Sequence, residues 1–414
     1  MKPFHFFLSG FVSVLYSCSL NDITLPPVNP DTNLINTVSL SEAKMKKMEG
    51  IYKLSGCQDD LGTRFVCRVS KYKVSFFSDK SGILFVLKYG FNPVDGYLQF
   101  SGFWRFSENT NQGLINFSVQ PGNGSLDLVV NGIATNLKMQ GVFKDGNGIQ
   151  KDIFLAFERP FTDYAKNNEF IVFGHHGIQT TANPPYAENS LKAAFHAQEY
   201  GMTGIEFDVR LTKDNVPICV HDATVNIRLT EKSPISGYYD QYGFTFLQNF
   251  LNLKDGQKIP SVEEVLNVVI DSTNLKYVWL DIKGNKGVFN YVGPVVQKAY
   301  ARAAALNRSV TVFSGLPTTE MVEEFQATPS YTYPTLCELS VQDAIDNKSI
   351  FFGPRYSMGL LLDDVDRAHS MGIRVISWTL NDKNIIYNYL QNGRFDGFIT
   401  DYPAYVVYDF YTMY

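Results

Sequence analysis

From Met48 to about Phe161 the apolar positions fall in short runs of β-forming residues. KVSFF (73–77), GILFVLKYGF (82–91), YLQFSGFWRF (97–106), LINFSV (114–119), LDLVV (126–130) and DIFLAFERPF (152–161) are examples. Turn-forming clusters separate them, including Pro121-Gly122-Asn123-Gly124 and Asp145-Gly146-Asn147-Gly148. The pattern predicts an all-β unit over residues 47–162, either a sandwich or a small barrel. It carries no motif with chemistry of its own. Trp104, if exposed, would suit a glycan or envelope contact, but its apolar neighbours favour a place in the core.

After Tyr164 the rhythm changes to apolar runs that alternate with helix-like stretches. IVFG (171–174), GIEFDV (204–209), ICV (218–220), YVWLDI (277–282), SVTVF (309–313), TYPTLCEL (332–339), IRVISW (373–378) and DGFIT (396–400) are nearly continuous in apolar residues, as parallel strands buried on both faces are. SLKAAFHAQEYG ends on Gly201, TTEMVEEFQAT begins with Thr at a capping position, and DDVDRAHSMG ends on Gly372. Eight runs in βαβ alternation predict an α/β fold, a (β/α)₈ TIM barrel over residues 163–414. For the sixth strand SIFFG (349–353) competes with TYPTLCEL.

The chain opens MKPFHFFLSGFVSVLYSC, a lysine followed by an apolar run that ends in small residues. This is the layout of a secretory signal over residues 1–17, and it is too short to span a bilayer. Leu15-Tyr16-Ser17-Cys18 looks like a bacterial lipobox, with Cys18 the acylated first residue of the mature chain. That implies export to the bacterial cell envelope, facing the periplasm or the cell surface, with a lipid anchor in the membrane. An ordinary cleaved signal with an incidental cysteine is the alternative, and incorporation of labelled fatty acid at Cys18 decides between them. Residues 18–46, rich in Pro, Asn and Asp, read as a tether.

A formal charge of −5 and a pI near 5.7 supply no broad basic field, which argues against nucleic acid as a partner. Five cysteines are too few for a disulfide scaffold. Cys57 and Cys67 are either one bridge or two thiols, whereas Cys219 and Cys337 lie in apolar runs and read as packing residues.

In barrels of this kind reactive groups sit where strands end at the C-terminal face. The first run ends in His175-His176-Gly177, the second contains Glu206 and Asp208, the third ends in His221-Asp222, and the fourth contains Asp281 followed by Lys283. Residues two apart on a strand project from one face, so Glu206 and Asp208 point together, as do Asp281 and Lys283. Three converging carboxylates repel one another unless a cation lies among them, and hard oxygen ligands suit one divalent ion, Ca²⁺ or Mg²⁺. For any single acid, a salt bridge to a barrel lysine is the simpler reading. The two histidines offer one group to accept a proton and one to donate it. His196 and His369 lie within helical stretches and serve as structural contrasts.

HHG, then AENSLKAAFHAQEYGMTGIEFDVRLTKDNVPICVHDATV, IPSVEEVL, WLDIK, SWTLND and GFITDYP occur in an order that resembles the glycerophosphodiester phosphodiesterase family, over nearly all of residues 170–405. The resemblance implies a (β/α)₈ barrel, a divalent cation, and hydrolysis of a small glycerophosphodiester to glycerol 3-phosphate and an alcohol. It implies His175 and His221 as the acid and base pair and Glu206, Asp208 and Asp281 as metal ligands. Lys283 would face the phosphate, Asn189 would shape the substrate site, and Trp378 would be a rim aromatic.

Two positions depart from the family pattern. The family usually has Arg after its first histidine, where this chain has His176, so phosphate binding would lean on the metal, Lys283 and Arg228 beside His176. It usually has Glu where Asp281 stands. The Asp followed two residues later by Lys is also similar to sphingomyelinase D enzymes, which makes a lipid phosphodiesterase of that kind the second enzymatic reading. A surface binding lipoprotein without turnover is the reading from another class, and His176 is its support. The all-β unit would then bind glycan; in an enzyme it is a spacer or a lid.

Overall fold

The computed structural model describes residues 23–29, 34–145, 148–178, 184–284 and 286–414. The signal segment and Cys18 lie outside the described residues.

Eight strands form the first unit: β1 Gly50–Ser55, β2 Arg64–Ser70, β3 Lys73–Phe77, β4 Leu84–Phe91, β5 Leu98–Arg105, β6 Gln112–Val119, β7 Lys138–Lys144 and β8 Gln150–Arg159. Each pairs antiparallel with the next, and β8 returns to β1, so the sheet closes as a barrel. The interior is packed with Tyr52, Phe65, Phe76, Phe85, Phe100 and Phe117. Phe65 and Phe85 stack at 4.6 Å, and Tyr52 meets Phe76 edge-on at 5.3 Å. On β3 and β4 the outward residues Phe77, Leu84 and Val86 are also buried, against the second barrel. Burial on both faces explains why KVSFF and GILFVL do not alternate, whereas the solvent-facing β6 does.

LDLVV, read as a strand, is instead a wide helical turn over Asp127–Asn131, between β6 and β7. Gly124 and Gly132 bracket it in the left-handed region, and the neighbours Leu128 and Val129 are buried together, which a strand would not allow. Trp104 is a core residue: its ring stacks on Phe143 at 4.5 Å, and its Nε1–H donates to the Lys144 carbonyl at 2.9 Å. Cys57 and Cys67 are free thiols.

The second unit is a parallel barrel of β9 Ile171–Gly174, β10 Gly204–Leu211, β14 Tyr277–Ile282, β15 Thr311–Leu316, β16 Thr335–Cys337, β17 Phe351–Phe352, β18 Arg374–Ser377 and β19 Gly397–Thr400. It closes through β19 and β9. The expected eight-stranded TIM barrel is present, but its membership differs in one strand. Residues of both TYPTLCEL and SIFFG are barrel strands, β16 and β17. ICV contributes β11 Pro217–Cys219, which pairs antiparallel on the flank of β10. Only residues 212–216 link β10 to β11, too few for the crossover that a parallel neighbour needs. The connection after β11 carries a small hairpin, β12 Thr224–Val225 with β13 Gly237–Tyr238.

The barrels meet along the outer face of β2–β5. That face packs on the C-terminal helix Pro403–Met413 and the turn Ala197–Tyr200, with Ser75 Oγ donating to the Glu199 carbonyl at 2.7 Å. Part of the stretch read as a tether is bound to both units. Thr24 N–H donates to the Pro184 carbonyl at 3.1 Å, and the Asn29 amide donates to the Gly102 carbonyl at 2.8 Å. Among the described residues no helix is long and apolar enough to cross a membrane.

Candidate active site

The mouth at the C-terminal ends of the parallel strands opens into a cavity of about 390 Å³. His175 and His176 line it just after β9, Glu206 from β10, His221 just after β11, Asp281 from β14, Lys283 just beyond it, and Trp378 just after β18. Asp208 is fully buried behind them. One ligand atom from each of Glu206, Asp208 and Asp281 lies within 4.8 Å of the others.

Three chain connections hold this cluster. The His176 N–H donates to Glu206 Oε2 at 2.8 Å, made reachable by a left-handed backbone at His176 (φ 50°). Asn189, also left-handed (φ 55°), donates its amide to Asp208 Oδ2 at 2.7 Å and accepts from the Asp208 N–H at 2.9 Å. Both ends of Asn189 are therefore spent on Asp208, and it is 1% exposed. Its place is that of a residue that positions a carboxylate, in contrast to the expected substrate contact. Arg210, which the sequence reading passed over, ties the strand tops together by donating to the carbonyls of His221 (2.9 Å) and Lys283 (3.0 Å).

The electrostatics are those of an acid cluster with too little positive charge inside it. Burial, then Asp208 and Asp281, push the Glu206 carboxyl well above the usual range. Burial would raise Asp208 as well, but His176 and Lys283 hold it low. Lys283 Nζ lies 2.6 Å from Asp281 Oδ2 and 3.1 Å from Asp208 Oδ1. Burial lowers its pKa, but these acids overcome that and raise it. Glu206 Oε1 and Asp281 Oδ1 are buried with no hydrogen-bond partner among the described residues. Unpartnered buried carboxylate oxygens that converge on one point fit a hard divalent cation. His176 Nε2, 3.4 Å from Asp208 Oδ2, brings a nitrogen to the edge of the same cluster.

Each of the two rim histidines is oriented by an aspartate. His175 Nδ1 is 2.9 Å from Asp401 Oδ1, and His221 Nδ1 is 2.8 Å from Asp222 Oδ1, which leaves both Nε2 atoms for other partners. Burial pulls the His175 pKa down, but the Asp401 bond and charge outweigh it and raise it. His176 stands between them, its ring 3.8 Å from that of His175 and 5.0 Å from that of His221. Burial and then His175 depress its pKa, against the pull of Asp208 and Glu188. His196 and His369 are engaged elsewhere, by Glu199 and Asp396.

Arg228 does not face the cavity as a phosphate-binding cation. Its guanidinium is committed to Glu188 (2.8 and 3.1 Å) and to Asp222 (2.8 and 3.1 Å), so it fixes the carboxylate that orients His221. The cavity instead holds Arg355, stacked over Trp378 at 4.8 Å, and Glu338. Glu338 was detectable by the rule used for the other acids, because it stands near the end of an apolar run and directly follows β16. Arg355 follows a two-residue strand and gave no such signal. Asp401, directly after β19, was present in the GFITDYP stretch without an assigned role.

Residues 175–275 match the glycerophosphoryl diester phosphodiesterase family. Among similar proteins, the glycerophosphodiester phosphodiesterase of Caldanaerobacter subterraneus subsp. tengcongensis is 24% identical over 244 residues, 56% of this chain and 94% of that one. The probable glycerophosphodiester phosphodiesterase 2 of Mycobacterium tuberculosis is 23% identical over 262 residues, 58% of this chain and 91% of that one. A solved phosphodiesterase of Oleispira antarctica, in complex with the product sn-glycerol-3-phosphate, is 17% identical, with 57% of this chain and 94% of that one covered at a TM-score of 0.46. The stretch with His175, His176, Glu206, Asp208 and His221 thus matches the glycerophosphoryl diester phosphodiesterase family within a longer chain, and the similar proteins carry that activity in their names.

Proposed function

We propose that this chain is a glycerophosphodiester phosphodiesterase that hydrolyses its substrate to glycerol 3-phosphate and an alcohol, with a divalent cation and a pair of histidines. The observation that carries the reading is the convergence of Glu206, Asp208 and Asp281 within 4.8 Å, with carboxylate oxygens that lack partners, beside two aspartate-oriented histidines.

Glu206, Asp208 and Asp281 would hold the ion, which when bound supplies positive charge to a phosphate oxygen and to a hydroxyl that must lose its proton. Lys283 adds a fixed ammonium at the same edge. One histidine removes a proton from the attacking hydroxyl, of water or of the glycerol, through Nε2, and the other returns one to the leaving alcohol; attack by the glycerol hydroxyl leaves a cyclic phosphate that water then opens to glycerol 3-phosphate. Asp401 and Asp222 hold each ring in the tautomer that presents Nε2. His176, buried and with its pKa depressed, donates its backbone N–H to Glu206, and Lys283 and Arg355 supply the permanent positive charge of the cavity.

The test is release of glycerol 3-phosphate from glycerophosphodiesters by the purified chain, in EDTA and then with added Mg²⁺ or Ca²⁺. Activity abolished by EDTA and restored by one cation is the expected result. A folded chain with no turnover under any cation would overturn the reading.

A further inference from the structure

The helix Phe244–Phe250 is apolar on two sides. Leu247 belongs to a small core with Leu229, Tyr239 and Ile259, whereas Phe246 is 40% exposed and Phe250 60%. Tyr242, Phe246 and Phe250 form one aromatic row, with successive ring centroids 5.2 and 4.7 Å apart. A surface helix ordinarily turns polar residues outward, and a contiguous apolar patch left facing water marks a contact surface.

The row stands beyond the mouth of the parallel barrel. β10 passes the cavity at Glu206, and the turn 212–216 lies farther along in the same direction. That turn carries the helix. The Lys213 N–H donates to the Tyr242 carbonyl at 2.9 Å, and Asp214 Oδ1 accepts from the Phe244 N–H at 2.9 Å. Ile227, 60% exposed, lines a groove on the same loop segment with Ile23, Lys232 and Lys254, where Glu231 accepts from the Asn252 amide at 2.9 Å. Lysine stems beside exposed apolar side chains suit the boundary between acyl chains and head groups.

The path of the chain before Ile23 indicates what covers this surface. Ile23 packs against the same small core as Tyr242 and Phe244, and the Thr24 N–H is bonded to the Pro184 carbonyl. The preceding residues therefore leave from this side of the barrel. Cys18, the acylation site read from the sequence, is five residues away, 23 − 18, a reach of about 18 Å at full extension. An anchor at that position brings the aromatic row to the lipid.

We propose that Tyr242, Phe246 and Phe250, with Ile227, dock on a membrane surface, so that the mouth of the parallel barrel faces the bilayer. The docking does not depend on the reaction at the mouth, and its test does without the acyl group. The experiment is co-sedimentation with vesicles of equal parts phosphatidylcholine and phosphatidylglycerol. It uses the chain from residue 19, which lacks the apolar leader and Cys18 but keeps every described residue. We expect this chain to bind, Phe250→Ser to weaken its partition about tenfold, and Phe250→Trp, which keeps an interfacial aromatic, to bind as the wild type does. Val94→Ser, at a side chain 91% exposed between β4 and β5 on the first barrel, should leave binding unchanged. No binding by the wild type, full binding by Phe250→Ser, or an equal loss in Val94→Ser overturns the proposal. A wild type that forms dimers in place of binding vesicles, and loses them in Phe250→Ser, overturns it as well, with a second copy as the occupant.

Discussion

The antiparallel barrel of β1–β8 is filled with Phe65, Phe76, Phe85, Phe100 and Phe117. The parallel barrel is filled in the same way by Phe173, Trp279, Phe313 and Phe351, but carries Glu206, Asp281, Lys283 and Glu338 at one mouth. Strand direction accounts for the difference. In an antiparallel meander successive strands end at opposite rims, so polar residues at strand ends are dispersed. In a parallel barrel every strand ends at the same rim, so residues far apart in sequence converge there. The same closed geometry therefore gives a packed scaffold in one case and an enclosed site with perturbed carboxyls in the other.

The largest effect that would sharpen this contrast is at the mouth. His175→Ala and His221→Ala should each lower kcat/KM by about 10²–10⁴-fold with little change in melting temperature; a loss within about tenfold would remove the acid and base roles. In the first barrel Phe76→Ala should do the opposite. It should cost about 3–5 kcal/mol of stability, read from denaturant unfolding, while the folded fraction keeps its turnover. A selective loss of activity from Phe76→Ala would show that the scaffold shapes the site directly.

The smallest expected effect lies at the junction of the barrels. Asp409, on the C-terminal helix, has a buried Oδ2 with no hydrogen-bond partner among the described residues. Burial raises its pKa to about 7, with Asp79 adding to the rise and Lys383 opposing it. A carboxyl whose folded pKa is raised contributes stability below its unfolded pKa, and that contribution is lost as pH climbs through the folded value. The wild type should therefore lose stability between about pH 4 and 7 through this group. Asp409→Asn should flatten that slope and stabilise the chain at pH 8 by on the order of 1 kcal/mol, read from denaturant unfolding. Parallel pH profiles of the two proteins would show that Asp409 is not strained at the joint.

What the sequence by itself determined was local. Runs buried on both faces marked the strands, Thr318 and Gly201 marked helix ends, and period-two spacing placed Glu206 with Asp208 and Asp281 with Lys283. Tertiary structure decided everything that depends on which strand lies beside which. ICV and SIFFG are both short apolar runs, and only pairing made one a flank and the other a barrel strand. Arg228 and Arg355 are both loop arginines. The fold placed two carboxylates around the first and an indole face beside the second, so only the second projects its charge at the cavity. The donor of Trp279 and the acid of Glu338 are 59 residues apart, 338 − 279. Both pack close to Gly315 because β14, β15 and β16 are neighbours and that residue of the middle strand has no side chain. Hydrophobic periodicity is a property of the chain, whereas the partner of a charge is a property of the space it folds into.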